Sequence, residues 1–422
     1  MIVDFTISNF RSIKNEQLLS FHADKKPKHH SGNISYIEED LGLLRTCAIY
    51  GPNASGKTNI ILAFEALQKL IIESGDLKDG DPITCYEPYL LSKSSRNSPT
   101  RFEIEFYVEN IRYSYHIEYN RTQIIFEKLD FFPSARPANI FTRTSPDNWK
   151  SVKFGEHYKG GKKQIAFFSN NTYISKAGNT PDSPPIIRKI FNHFRKNTQT
   201  MLVNQAVGVF DWDEDSSTVS IINTFLKKAD LGIEKFGIEN IESIDDLKLP
   251  KDMPEIIKQK LIKEFSKREY FYHQDDEGKL IRFEKEKESS GTNRLFKLLP
   301  FFVEVLREGS TLFVDEIEDS FHPHIAELII KLFNDPLVNK KNAQLIFTAH
   351  DLTLMGSGSM RKDQIYLTEK NPDNGTILYC LESYEAALKD NSPFSKWYDE
   401  GRLGAVPSIN YRDISDTIKG MF

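Results

Sequence analysis

Residues Gly51-Pro52-Asn53-Ala54-Ser55-Gly56-Lys57-Thr58 fit the pattern G-x-x-x-x-G-K-[ST], which wraps phosphate oxygens. Its glycines let backbone N–H groups curl around the anion. Lys57 reaches the β- and γ-phosphates, and the Thr58 hydroxyl ligates Mg²⁺. The expected phosphate-binding set is Asn53, Ala54, Ser55, Gly56, Lys57, Thr58 and Asn59, with ATP and Mg²⁺ as cofactors. Lys57 is taken as an exposed loop lysine that adds little to stability. A second segment, Thr311-Leu312-Phe313-Val314-Asp315-Glu316, is an apolar run ending in two acids. Asp315 then reads as an inner- or outer-sphere Mg²⁺ ligand, and Glu316 as the general base that polarises the attacking water. A third, Ala343 to His350, is another apolar run that ends in a polar residue, so His350 can hydrogen-bond the γ-phosphate. A fourth, Glu288 to Arg294, sets Ser289 and Gly291 ahead of a helix over 294–307. That is either a second anion site or a simple helix cap.

These groups need elements to hold them. Leu43 to Tyr50 is apolar enough for a buried strand, and Lys57 to Glu73 has helical periodicity through Ile60, Ile61, Phe64, Leu67, Leu70 and Ile71. Strand, glycine loop and helix N-terminus together form an anion site, because first-turn N–H groups lack intrahelical partners. Residues 1–20 alternate apolar and polar, which predicts an edge strand. Residues 101–130 predict an antiparallel meander with turns at Glu109-Asn110 and Asn120-Arg121. Residues 145–185 read as loops. Ile186–Phe194, Val219–Lys228 and Ile256–Phe265 read as charged amphipathic helices. After Pro300 strands and helices alternate: strands at Ser310–Val314, Ala343–Thr348, Gln364–Thr368 and Thr376–Leu381, and a helix at His324–Phe333. The expected division is residues 1–184 (P-loop lobe with the meander), 185–275 (helical insertion) and 276–422 (second lobe).

The chain has 422 residues, 39% hydrophobic and 27% charged, with a net charge of −5. Such a composition is that of a globular protein and does not advertise nucleic-acid binding. Cys47, Cys85 and Cys380 have neither disulfide nor zinc spacing, which suits a reducing cytoplasm. No leader or membrane-spanning run is legible. His322 and His324 are read as a loop feature at a head–head interface rather than a metal site.

The order of motifs resembles the ABC-type ATPase head of transporters, SMC proteins and RecF-like proteins. The resemblance implies an α/β fold with a mixed sheet, an antiparallel β subdomain and an inserted helical subdomain. In that family the Ser-x-Gly signature of one head completes the nucleotide site of another. Here Glu288-Ser289-Ser290-Gly291-Thr292 keeps only the Ser and the second Gly of Leu-Ser-Gly-Gly-Gln. Asn9-Phe10-Arg11-Ser12 is similar to the start of SMC and RecF heads, which implies that Arg11 lies near the nucleotide. Gln164 is the candidate for the family's glutamine loop. Asp315-Glu316-Ile317-Glu318-Asp319-Ser320-Phe321-His322-Pro323 resembles OLD-like ATPases, and Trp397 to Pro407 resembles the tail of RloA/AbiL-type ATPases of anti-phage defence. The resemblance covers the segments 1–70 and 280–410. It implies an ATP hydrolase that forms at least a dimer and controls a separate effector. The alternative is a RecF/SMC-like clamp that grips DNA in repair or recombination. A transporter subunit is disfavoured, because its Ser-Ala-Leu-Asp loop is missing after Glu316. No nuclease domain is expected after His350.

Overall fold

The computed structural model describes residues 1–23, 30–38, 41–146, 148–202, 217–240, 267–319, 322–356, 358–384, 388, 392–407 and 410–421. By contacts the chain forms two units. The larger is Met1–Val203, Val305–Ile317 and Ala326–Phe422; the smaller is Asn204–Glu304 and Glu318–Ile325.

The larger unit has two sheets. One is antiparallel and is built from β1 (Ile2–Ser8), β2 (Gln17–Ser20), β6 (Thr100–Val108), β7 (Ile111–Tyr119), β8 (Ile124–Phe132), β9 (Ala138–Thr144) and β10 (Lys153–Phe154). Its order is β10-β9-β8-β7-β6-β1-β2. Burial along β6 and β7 alternates, as expected when one sheet face meets the core. Glu109 and Asn110, which join them, both have positive φ (50° and 63°), the geometry of a two-residue hairpin turn. The first strand differs from expectation. β1 is interior, between β6 and β2, and β2 takes the edge. The short return through Asn9 and Arg11, both at positive φ, supplies that extra strand.

The other sheet contains β5 (Thr46–Tyr50), β11 (Thr198–Met201), β15 (Thr311–Val314), β16 (Gln344–Thr348), β17 (Ile365–Lys370) and β18 (Thr376–Cys380). The order is β11-β15-β16-β5-β17-β18, parallel except for β18. Every residue of β5, β15 and β16 is buried, which is why these strands read as unbroken apolar runs. A smaller hairpin pairs β3 (Ile34–Glu38) with β4 (Leu41–Leu44).

Helix α1 (Lys57–Glu73) packs against both sheets. Phe64 stacks on Phe313 of β15 at 3.9 Å and meets Phe5 of β1 edge-on at 5.8 Å. Burying one such phenylalanine contributes about 2–3 kcal/mol. The far end of α1 is tied down by polar bonds, since Asn171 Nδ2 donates to Ser74 O at 2.6 Å and to Leu77 O at 3.1 Å. Asn171 in turn precedes α2 (Tyr173–Gly178), whose first amides, Tyr173 N and Ile174 N, donate to the buried Glu127 carboxylate. Burial pushes the Glu127 carboxyl up, while Arg143 and those amides pull it back. Helix α3 (Pro185–Lys196) also packs in this unit and leads directly into β11. An insertion starting at residue 185 therefore begins too early.

The described part of the smaller unit is also not all helical. It has α4 (Ser217–Lys228), an antiparallel sheet β12-β13-β14 (Lys235–Asn240, Lys267–Gln274, Leu280–Glu284), and the start of α5 (Ser290–Glu308). Phe236, Phe271 and Phe296 close its core, with ring centroids 4.4–5.9 Å apart. The expected helix at Ile256–Phe265 lies outside the described residues. No helix among the described residues is long and apolar enough to cross a membrane.

Candidate functional site

The three parallel strands β15, β16 and β5 end side by side, so the residues that follow them share one edge of the sheet. That carboxyl edge is where open α/β sheets bind ligands. Past β5 the chain turns through Gly51 (φ 152°), Ala54 (φ 62°) and Gly56 (φ 112°) into α1. Gly56 has to be glycine, because a Cβ there would lie 2.2 Å from Thr376 Oγ1 and 2.8 Å from Ser12 Oγ. Asn53 and Ala54 are exposed at the tip of the loop, whereas Ser55 is buried and shares a 2.6 Å hydrogen bond with Thr368 Oγ1. Ser55 thus fixes the loop to β17 through its side chain, and its backbone N–H donates to Pro52 O at 3.2 Å.

Lys57 is only 5% exposed, unlike the exposed loop lysine expected. Its ammonium donates to Gly51 O at 2.7 Å and Pro52 O at 3.2 Å, so the loop closes on its own lysine. Thr58 Oγ1 donates to Asp315 Oδ1 at 3.1 Å, bringing together the two oxygens expected at a metal. Both are hard oxygen donors, and Mg²⁺ takes one or two such protein ligands alongside phosphates and water. The donor set therefore fits Mg²⁺.

Thr348, the last residue of β16, organises the two acids. Its hydroxyl donates to Asp315 Oδ1 at 2.7 Å and accepts from Glu316 N at 2.7 Å. Glu316 has φ 50°, a left-handed conformation that costs a non-glycine residue about 1–3 kcal/mol. The threonine bond holds it there. Glu316 Oε1 then lies 3.5 Å from His350 Nε2, and the two side chains are 36% and 39% exposed. The pair is partly open to water at the strand ends. Sequence spacing marks Glu316 and His350 but gives no sign of Thr348, whose role depends on the register between two strands.

Arg11 has one 3.4 Å bond to Asn59 Oδ1, but its main partner is Glu87, at 2.7 Å from Nε and 3.2 Å from Nη2. Asn59 Nδ2 donates to Ser12 Oγ at 2.6 Å, and Ser12 Oγ meets Thr376 Oγ1 at 2.7 Å. Thr376 Oγ1 donates onward to Ser55 O at 2.6 Å. A chain of hydroxyls thus links the Arg11 turn, the phosphate loop and β18. Glu87, Thr368 and Thr376 escaped sequence reasoning because they come from three distant segments. Beside this chain is a cavity of about 910 Å³, bordered by Arg11, Asn59, Tyr86, Tyr89 and Lys370. Burial pulls the Lys370 pKa down.

Ser289 and Gly291 are in the smaller unit, where Ser289 Oγ accepts from Thr292 N at 3.0 Å. Within one chain Ser289 is the cap of α5. Gln164 is exposed in the loop between β10 and α2, with no part in the site described above. The parallel strand β11 runs beside β15, so the chain leaving it emerges at the acid-bearing edge; the residues that follow lie outside those described. No cluster of three or more His, Cys, Asp or Glu is placed to hold a metal among the described residues.

Among solved structures, the chain is similar to "SMC head domain from Thermotoga maritima" (12% identity, covering 90% of this chain and 98% of that one, TM-score 0.36). It is also similar to "Crystal structure of the SmcHead bound to the C-winged helix domain of ScpA" (13% identity, 90% and 97% covered, TM-score 0.40). A third is cbiO1 from Clostridium perfringens, described as part of the ABC transporter complex cbiONQ (10% identity, 95% and 96% covered, TM-score 0.29). No curated protein sequence matches the chain. The family model described as "AAA domain, putative AbiEii toxin, Type IV TA system" matches residues 47–356, from the phosphate-loop strand to beyond His350. That match takes in well over half of the sequence, and the chain belongs to this family of P-loop proteins.

Proposed function

We propose that the chain is an ATP hydrolase whose active site is completed by a second copy, and that its cycle controls a separate effector protein in anti-phage defence. The observation that carries the catalytic part is the Thr58–Asp315–Thr348–Glu316–His350 constellation on one sheet edge, directly beside a closed phosphate loop. Lys57 exchanges its loop carbonyls for phosphate oxygens, and the first-turn amides of α1 take the rest of the charge. Thr58 and Asp315 would hold Mg²⁺, which would supply positive charge to the phosphates. Glu316 accepts the proton of the attacking water, and His350 orients that carboxylate and bonds the γ-phosphate. The cavity beside Arg11 and Asn59 accommodates the nucleoside.

Ser289 and Gly291 support a shared site through the resemblance to ABC-type signatures and through their place at a helix start, where N–H groups attract anions. In a two-fold dimer each signature would serve the partner's phosphate loop. Mixing Lys57→Ala and Ser289→Arg chains tests this. One site of the heterodimer then carries both lesions and the other none, so hydrolysis returns in part. Verified heterodimers without any activity would refute the shared site. The defence role rests on the segments that resemble OLD-like and RloA/AbiL-type ATPases. Its test is co-purification of an effector from infected cells expressing the Glu316→Gln protein. Duplex DNA that stimulates hydrolysis with a steep salt dependence, with no protein partner captured, would overturn it in favour of a DNA clamp.

A further inference from the structure

The parallel strands have a second end. β11, β15 and β16 start side by side, and the residues just before them, Lys196-Asn197, Gly309-Ser310 and Lys341-Asn342, meet at the amino edge of the sheet. A cavity of about 450 Å³ opens there, closed on one side by α3 and on another by the β6–β7 hairpin. This is the opposite edge from the phosphate loop, so the nucleotide site does not account for it.

Its lining is rich in cations and amides. Lys189, Lys196 and Lys341 border it together with Asn192, Asn197 and Asn342. The single lining carboxylate, Glu109, is paired with Lys189. No carboxylate pairs with Lys196 or Lys341 among the described residues. In a chain of net charge −5 this is a local excess of positive charge. The amides are set for donation. Asn342 Oδ1 already accepts from Ser35 Oγ at 2.9 Å, and Asn192 Oδ1 accepts from Arg195 Nη2 at 3.3 Å. Each therefore has its NH₂ group left to offer. One further donor or acceptor is buried at the wall: His193 Nε2 has no hydrogen-bond partner among the described residues, and its ring stacks on Phe106. That nitrogen is itself covered by protein, so the donors the pocket presents are the lysines and the asparagine amides.

We infer that this amino-edge pocket binds a small phosphorylated anion, with Lys196 and Lys341 on the phosphate and the asparagine NH₂ groups as its neutral donors. Lysine serves phosphate as a point charge, and a cavity of this volume suits a small molecule. The concave shape favours such a ligand over a nucleic-acid backbone, which a basic ridge would serve better.

The test uses the full chain with its phosphate loop filled by saturating ADP and free Mg²⁺ held in excess. Pyrophosphate is then titrated by calorimetry against wild type and a Lys196→Glu/Lys341→Glu double variant. Both lysines are exposed, so the double variant should fold, and unchanged ADP affinity checks that. The expected result is saturable pyrophosphate binding with Kd below about 1 mM in wild type, weakened at least tenfold in the double variant. Three results would overturn the inference. Wild type shows no saturable binding; binding survives both charge reversals; or a duplex oligonucleotide binds through the two lysines while pyrophosphate does not.

Discussion

Removing one hydroxyl, by Thr348→Val, should damage both stability and turnover. Valine matches the shape of threonine, so the buried packing of β16 is kept. Two bonds are lost. The first is to the Asp315 carboxylate at 2.7 Å, and a bond to a charged group has a net worth of about 1.5–3 kcal/mol. The second leaves Glu316 N without its 2.7 Å acceptor, at a cost of about 1–3 kcal/mol if no water replaces it. The left-handed Glu316 then keeps only the neighbouring bond from Ile317 N to Thr348 O at 3.1 Å to hold its turn, and its side chain relaxes away from its place. Water at the partly open strand ends recovers part of the loss, so the expected net destabilisation is about 2–4 kcal/mol. Urea unfolding with an unchanged m-value measures it. A base displaced by about 1 Å costs on the order of a hundredfold in rate, so kcat for ATP should fall by about that factor while nucleotide affinity changes little. Thr348→Ser keeps the hydroxyl and should restore most of the rate. Should Thr348→Val stay within about 0.5 kcal/mol of wild type with kcat intact, Thr348 does not position the acids, and the reasoning fails.

Lys57→Ala should weaken ATP binding by about ten- to a hundredfold, read by a fluorescent nucleotide analogue, and should also lower Tm, because the ammonium is buried on two loop carbonyls. Glu316→Gln should retain ATP but stop turnover; light scattering should show an ATP-dependent gain in mass, and its absence at saturating ATP would count against closure of two heads. Gly56→Ala should abolish nucleotide binding, since the new methyl meets Thr376 and Ser12 and φ is 112°; binding within threefold of wild type would refute the loop geometry. His193 gives a pH signature: burial pulls its pKa from 6.5 to about 3, so the unfolded chain binds the extra proton in between. Stability from this group is fully present above pH 6.5 and is lost as the pH falls, by about 2 kcal/mol at about pH 5. His193→Gln should flatten that slope in urea titrations.

Some parts of this molecule were legible because the signal is local. The phosphate loop, β5 and α1 follow from a contiguous motif and a contiguous apolar pattern. β6, β7 and β8 follow from alternation and from Glu109-Asn110, whose turn geometry is set by those two residues. Other parts depend on which distant strand lies alongside. Nothing in Ile2–Ser8 shows that β2 will cover its outer edge. The charged strands β12 and β13, with Gly237 among them, look like surface helix or loop until they pair. Lys57 reads as exposed because the loop carbonyls that bury it are close in sequence yet fold back only around the turn. Glu87 meets Arg11 from 76 residues away, a distance no spacing rule covers.

The strand order also sets a timetable. β5 carries the phosphate loop, yet its neighbours on both sides, β16 and β17, come from the far end of the chain. Gln364, which bonds Thr46 in β5, is 318 residues downstream. At a synthesis rate of about 5–20 residues per second, the loop leaves the ribosome roughly 15–60 s before its sheet can close. Through that interval the apolar strand β5, and the side of α1 that meets Phe313, lack their partners in the parallel sheet. A nascent chain therefore holds the motif without the site, and truncated products should be inert towards nucleotide and prone to aggregate. The phosphate loop thus becomes a site only after β16 and β17 have been made.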